Sequence, residues 1–69
     1  MKLKYDKEAD AVYLSFVEIG PGDASMTIEL SERMALDFNK KGKLLGVEFL
    51  DASKIFPKKL LYTSKKVFN

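Results

Sequence analysis

The sequence predicts an α+β domain that is mostly β: an antiparallel β-meander of about five strands, with one short helix after the last hairpin at about residues 51–56. Three observations carry this. Apolar and polar residues alternate with period two through most of the first fifty positions, the spacing of strands with one buried face. Turn-forming clusters at Gly20-Pro21-Gly22 and at residues 39–42 punctuate the alternation. After Leu50 the period changes, and Pro57 discourages Phe56 from remaining helical.

Taken in order, residues 2–5 (KLKY) alternate and lead through a polar connection at 6–10 into a strand at 11–17. In that strand Val12, Leu14 and Phe16 share one side, and Ala11, Tyr13, Ser15 and Val17 the other. Residues 24–30 repeat the pattern, with Ala24, Met26, Ile28 and Leu30 set against Ser25, Thr27 and Glu29. In the next hairpin, a four-residue loop at 39–42 with Gly42 left-handed pairs residue 38 with residue 43. That register sets Leu36 opposite Leu45 and Met34 opposite Val47 on one face, with Arg33 opposite Glu48 and Ala35 opposite Gly46 on the other. A three-residue loop with a bulge sets Glu48 beside Met34, so the apolar pattern argues against it. Asp51 is placed to accept an N-cap hydrogen bond, and Ile55, Phe56, Leu60 and Leu61 are available to cover the sheet. The final TSKKVFN fits a short strand, a docked arm or a frayed tail.

The chain forms one domain, residues 1–69, in which 57–69 is a basic C-terminal segment. A domain of this size buries only about 60 % of its unfolded surface and usually needs a disulfide, a metal or a partner. The chain has no Cys and no His, which leaves oligomerisation. Val12, Leu14, Phe16, Met26, Ile28, Leu30, Met34, Leu36, Phe38, Leu45, Val47 and Phe49 line the expected core face. The opposite face keeps Leu3, Tyr5, Ala11, Tyr13, Ala35 and Leu44 around Gly46. A homodimer is therefore expected, sheet against sheet or edge to edge, with Tyr5, Tyr13, Arg33, Ala35, Leu44, Gly46 and Glu48 as interface candidates.

The same absences remove thiol nucleophiles, histidine bases, and ordinary zinc, haem and iron–sulfur ligation. No cofactor, metal or catalytic residue is expected. The charged N-terminus and the lack of an apolar run near 20 residues predict a cytoplasmic protein without a membrane span. Charge is segregated: residues 1–32 hold three Lys and seven acids, a net of −4, and residues 33–69 hold nine cations and three acids, a net of +6. Lys54, Lys58, Lys59, Lys65 and Lys66, with Tyr62 and Phe68 nearby, make a candidate nucleic-acid contact, set against a solvated face or a docked arm.

The order Tyr5-Asp6, Asp10-Ala11, Tyr13-Leu14, Asp37, Gly42, Gly46-Val47-Glu48 and Ala52-Ser53 resembles the prokaryotic family catalogued as domain of unknown function 2283. The resemblance runs from about residue 2 to about residue 56. It implies a small, β-rich, single-domain protein and supplies no catalytic residues. The chain departs from the pattern at Asn39, where an acidic turn residue is usual, and the basic tail lies beyond the matched part.

Three further motifs carry weaker signals. Asp6, Glu8 and Asp10 begin a calcium-loop spacing, but Ala11 and Val17 stand where the loop needs Gly and Glu, so a turn capped by Asp6 is the expectation. Asp37 and Glu48 form a carboxylate pair about 13 Å apart in the register above, too far for glycosidase-type chemistry within one subunit. A hydrolase assembled across a dimer is the least favoured reading. Gly20-Pro21-Gly22 lacks the Lys-Ser/Thr of a phosphate loop and reads as a turn. The expected function is a non-enzymatic homodimeric protein-interaction module, and the alternative is an accessory nucleic-acid-binding protein.

Overall fold

A computed structural model describes residues 1–62 of the 69-residue chain. Five strands, β1 (Lys2–Asp6), β2 (Ala11–Ser15), β3 (Met26–Ser31), β4 (Met34–Phe38) and β5 (Leu44–Leu50), form one antiparallel sheet, followed by α1 (Ala52–Ile55) and α2 (Lys58–Tyr62). The strand order is β1-β2-β5-β4-β3, which departs from a strictly sequential meander. After β2 the chain crosses to the far edge, and the hairpins return so that β5 inserts between β4 and β2. Insertion gives β5 partners on both sides, which suits the most apolar strand of the chain. TSKKVFN lies outside the described residues.

The β4–β5 turn corrects the expected register. Gly42 is left-handed, at φ 78°, and its N–H donates to the Asn39 carbonyl at 3.0 Å. The Asn39 N–H donates to the Lys43 carbonyl at 2.9 Å, so the loop is the three residues 40–42. The Asn39 side chain accepts the N–H groups of Lys41 and Lys43, each at 2.9 Å, and so fixes the turn. Phe38 then faces Leu44, but Asp37 faces Gly46, leaving Leu45 as a bulge residue. The bulge restores the apolar phase that the shorter loop would otherwise invert. Leu36 meets Val47, Met34 meets Phe49 and Ala35 meets Glu48, two residues from the sequence-based pairing but on the same faces.

The inner face of the sheet, the one that packs on the helices, carries Val12, Leu14, Val47, Phe49, Met34 and Leu36, as the alternation implies. It also carries Leu3 and Tyr5, which pair with Leu14 and Val12. This corrects their expected place on the opposite face: Asp6 pairs with Ala11 around a four-residue turn, and that turn fixes the phase of β1. Leu3, Val12, Ala52 and Leu61 form the buried cluster, with Tyr5, Leu14, Phe49, Phe56 and Leu60 packed around it. The Phe49 and Phe56 rings meet edge to face with centroids 5.0 Å apart. Phe56 is extended, as Pro57 requires, and the Pro57 carbonyl then opens α2 by accepting from Leu60 and Leu61. Among the described residues, the helices pack on the β1–β2–β5 side, and Met26, Ile28 and Leu30 remain 41–57 % exposed.

Candidate functional site

Strand alternation places Tyr13, Gly46, Asp37 and Thr27 on the outer face, on four neighbouring strands. The Tyr13 side chain crosses β5 above Gly46, and its Oη donates to Asp37 Oδ2 at 2.8 Å. Thr27 Oγ1 donates to the other carboxylate oxygen at 2.6 Å. Gly46 is needed because a Cβ there would lie 2.5 Å from Tyr13 Oη and 2.8 Å from the Leu14 carbonyl oxygen. Burial, then the hydrogen bond to Asp37 and the charges of Asp37 and Glu48, push the Tyr13 phenol up to about 12. Tyr13 is therefore a proton donor across the neutral range. With both oxygens occupied by hydroxyl donors, Asp37 clasps β2, β4 and β3 together.

A second cluster joins the β1–β2 turn to α1. Asp10 is left-handed, at φ 50°. Its Oδ1 accepts from Tyr5 Oη at 2.8 Å and from the Ser53 N–H at 3.0 Å, and its Oδ2 accepts from Ser53 Oγ at 2.7 Å. Its carbonyl accepts the Ala52 N–H at 2.8 Å. The cap of α1 therefore comes from Asp10, not from Asp51 as expected. Asp51 sits at φ 53° with no side-chain cap bond, and its carboxylate is turned toward Arg33 Nε at 3.2 Å. Hydrogen bonds from Ser53 and Tyr5 hold the Asp10 carboxyl below its ordinary range, and the bond to Asp10 in turn raises the Tyr5 phenol.

Of the interface candidates, Tyr13, Ala35, Gly46 and Glu48 share the outer face. Tyr5 does not: it stands on the core face and is tied to Asp10. Arg33 pairs with Asp51 and not with Glu48, which faces Ala35 and Tyr13. Leu44, expected on the outer face, is not there: the bulge sets it opposite Phe38 on the inner face, where it is 39 % exposed. Lys54 lies on α1 and Lys58 and Lys59 on α2, while Lys65 and Lys66 fall outside the described residues.

The corrected register also changes the carboxylate pair. Asp37 faces Gly46, so Glu48 is its diagonal neighbour, a relation that spans about 7–8 Å and not 13 Å. Distance no longer separates this pair from glycosidase geometry. What separates it is that Tyr13 and Thr27 already occupy both Asp37 oxygens while Glu48 is exposed. Asp6 caps its own turn, with Oδ1 accepting from the N–H groups of Glu8 at 3.1 Å and Ala9 at 3.3 Å. Among the described residues, no group of three or more acidic side chains is placed to hold a metal ion. Nor is any helix among them long and apolar enough to cross a membrane.

Thr27 is the one member of the two clusters that sequence reasoning did not single out, because an outward Thr on an alternating strand carries no signal of its own. The others, Tyr5, Asp10, Tyr13, Asp37, Gly46, Ala52 and Ser53, are the residues on which the family resemblance rests, and here each has an architectural task. No curated protein and no solved structure matches the chain significantly. The family model for proteins of unknown function, DUF2283, matches residues 2–53, from the first strand through the Asp10 contact with α1, and the chain belongs to that family.

Proposed function

We propose that this protein is a non-enzymatic protein-interaction module that works as a homodimer through the β3 side of its sheet. The supporting observation is the apolar surface at Met26, Ile28 and Leu30, which are 41–57 % exposed and lie on the strand paired with half-buried Met34, Leu36 and Phe38. A small monomer gains stability by covering such a surface. The contact surface thus shifts from the outer face, where Tyr13, Asp37 and Thr27 are engaged with one another. Sedimentation equilibrium tests this: the wild type is expected to reach twice its chain mass at micromolar concentration, and Met26→Lys to stay monomeric with an unchanged circular dichroism spectrum. A wild type that is monomeric throughout that range overturns the reading.

The second reading, nucleic-acid binding, is favoured by one observation: Tyr62, at 75 % exposure, shares α2 with Lys58 and Lys59. It predicts retention on an oligonucleotide column at low salt, with affinity falling steeply as salt rises. Passage without retention removes it.

A further inference from the structure

The two edges of the sheet are built differently. β1 carries Lys2 and Lys4 and is followed by Lys7, the cations with which edge strands commonly resist pairing. β3 contains no Lys and no Pro, its one charge is Glu29, and all six of its residues are exposed. Resting on the homodimer reading above, we propose that two copies pair antiparallel through β3 about a two-fold axis at Ile28, so that a single sheet runs through both.

The register follows from side-chain chemistry. Any pairing in which residue numbers sum to an odd value sets Ile28 on the face of its neighbour's polar residues, inverting the alternation. An axis at Glu29 places two carboxylates directly opposite, which is repulsive. Axes at Thr27 or Leu30 avoid both but pair a shorter run of β3, whereas an axis at Ile28 pairs residues 26–30: Ile28 faces its own copy, Thr27 faces Glu29 of the second copy, and Met26 faces Leu30. The bulge between Glu29 and Ser31 falls at the end of this ladder and leaves its three central pairs regular. Closure also favours the two-fold arrangement. Pairing β3 with the β1 edge of another copy would leave free edges and propagate into a fibre, whereas β3 against β3 closes and leaves a Lys-bearing β1 at each outer end. One strand pair supplies less than the roughly 800 Å² per partner of a standard interface, so association is expected at the micromolar end.

The absence of native cysteine makes the register directly readable. Single variants Thr27→Cys, Ile28→Cys and Glu29→Cys are oxidised at concentrations where the wild type is dimeric, with circular dichroism confirming the fold of each. Ile28→Cys is expected to form a covalent dimer at least about tenfold faster than either flanking variant alone. An equimolar mixture of Thr27→Cys and Glu29→Cys is expected to cross-link to each other, because only directly opposed strand positions approach disulfide geometry. A dimer in sedimentation without rapid Ile28→Cys coupling, or with faster coupling of Thr27→Cys or Glu29→Cys alone, overturns the edge register and leaves the homodimer standing. Growth into larger oligomers with concentration also overturns the closed two-fold pairing. A monomeric wild type defeats the homodimer reading itself.

Discussion

The two halves of the inner face follow the same alternation and end in different environments. On the β1–β2–β5 side, Val12 is wholly buried and Leu3 and Leu61 are 4 % exposed. On the β3–β4 side, Met26, Ile28 and Leu30 are 41–57 % exposed. The difference lies in what sits above the strands: among the described residues, Ala52 of α1 and Leu61 of α2 join Leu3 and Val12 in the buried cluster, and no residue of β3 or β4 does. Period two identifies a face that is able to be buried, and the reach of the covering elements decides which part of it is buried.

That contrast can be broken from either side. The largest effect is expected under the helices: Leu61→Ala should cost about 2–4 kcal/mol, read as a lower urea midpoint, because the cavity opens in the buried cluster. Next is Gly46→Ala, at about 1–3 kcal/mol, since the new methyl meets a carbonyl oxygen as well as the Tyr13 ring and neither can yield freely. Tyr13→Phe should cost about 1 kcal/mol at neutral pH through loss of the hydrogen bond to Asp37. It should also change the alkaline limb of stability. The folded phenol holds its proton to about 12 against an ordinary value of 10.0, so its contribution is complete below 10 and lost as pH rises toward 12. Urea midpoints measured across that window should fall less in Tyr13→Phe than in the wild type. The smallest effect belongs to the bare half. Ile28→Ser, measured at concentrations low enough to keep the chain monomeric, should shift stability by about 0.5 kcal/mol or less. A loss at Ile28 as large as that at Leu61 would mean that the bare half is covered within one chain.

The faces of β2, β3, β4 and of β5 beyond Leu44 were legible because side-chain period survives any even slip in register. Strand partners were not, because Lys40-Lys41-Gly42 closes a shorter loop than Asn39 suggests and Leu45 then absorbs the missing residue. The misplacement of Tyr5 has a similar origin: the phase between β1 and β2 is fixed by the length and geometry of the turn before Ala11, which alternation along either strand does not encode. The Tyr13–Asp37 contact depends on the same hidden register, joining residues 24 positions apart across an intervening strand. The insertion of β5 was likewise out of reach, since each hairpin reads the same locally whichever edge its neighbour later joins. The acidic turn at Asp6 was readable because an Asx turn is a property of a few consecutive residues.

The central position of β5 also bears on the history of the chain as it is made. β2 has β1 as its first neighbour, but its second lies at residues 46–50, and an isolated two-stranded hairpin is marginal in water. The β1–β2 hairpin must therefore wait through the synthesis of β3 and β4 before the strand that secures it emerges. Assembly is expected to run backward relative to translation, with β3–β4–β5 forming first from neighbouring turns and the N-terminal hairpin docking last onto the free side of β5.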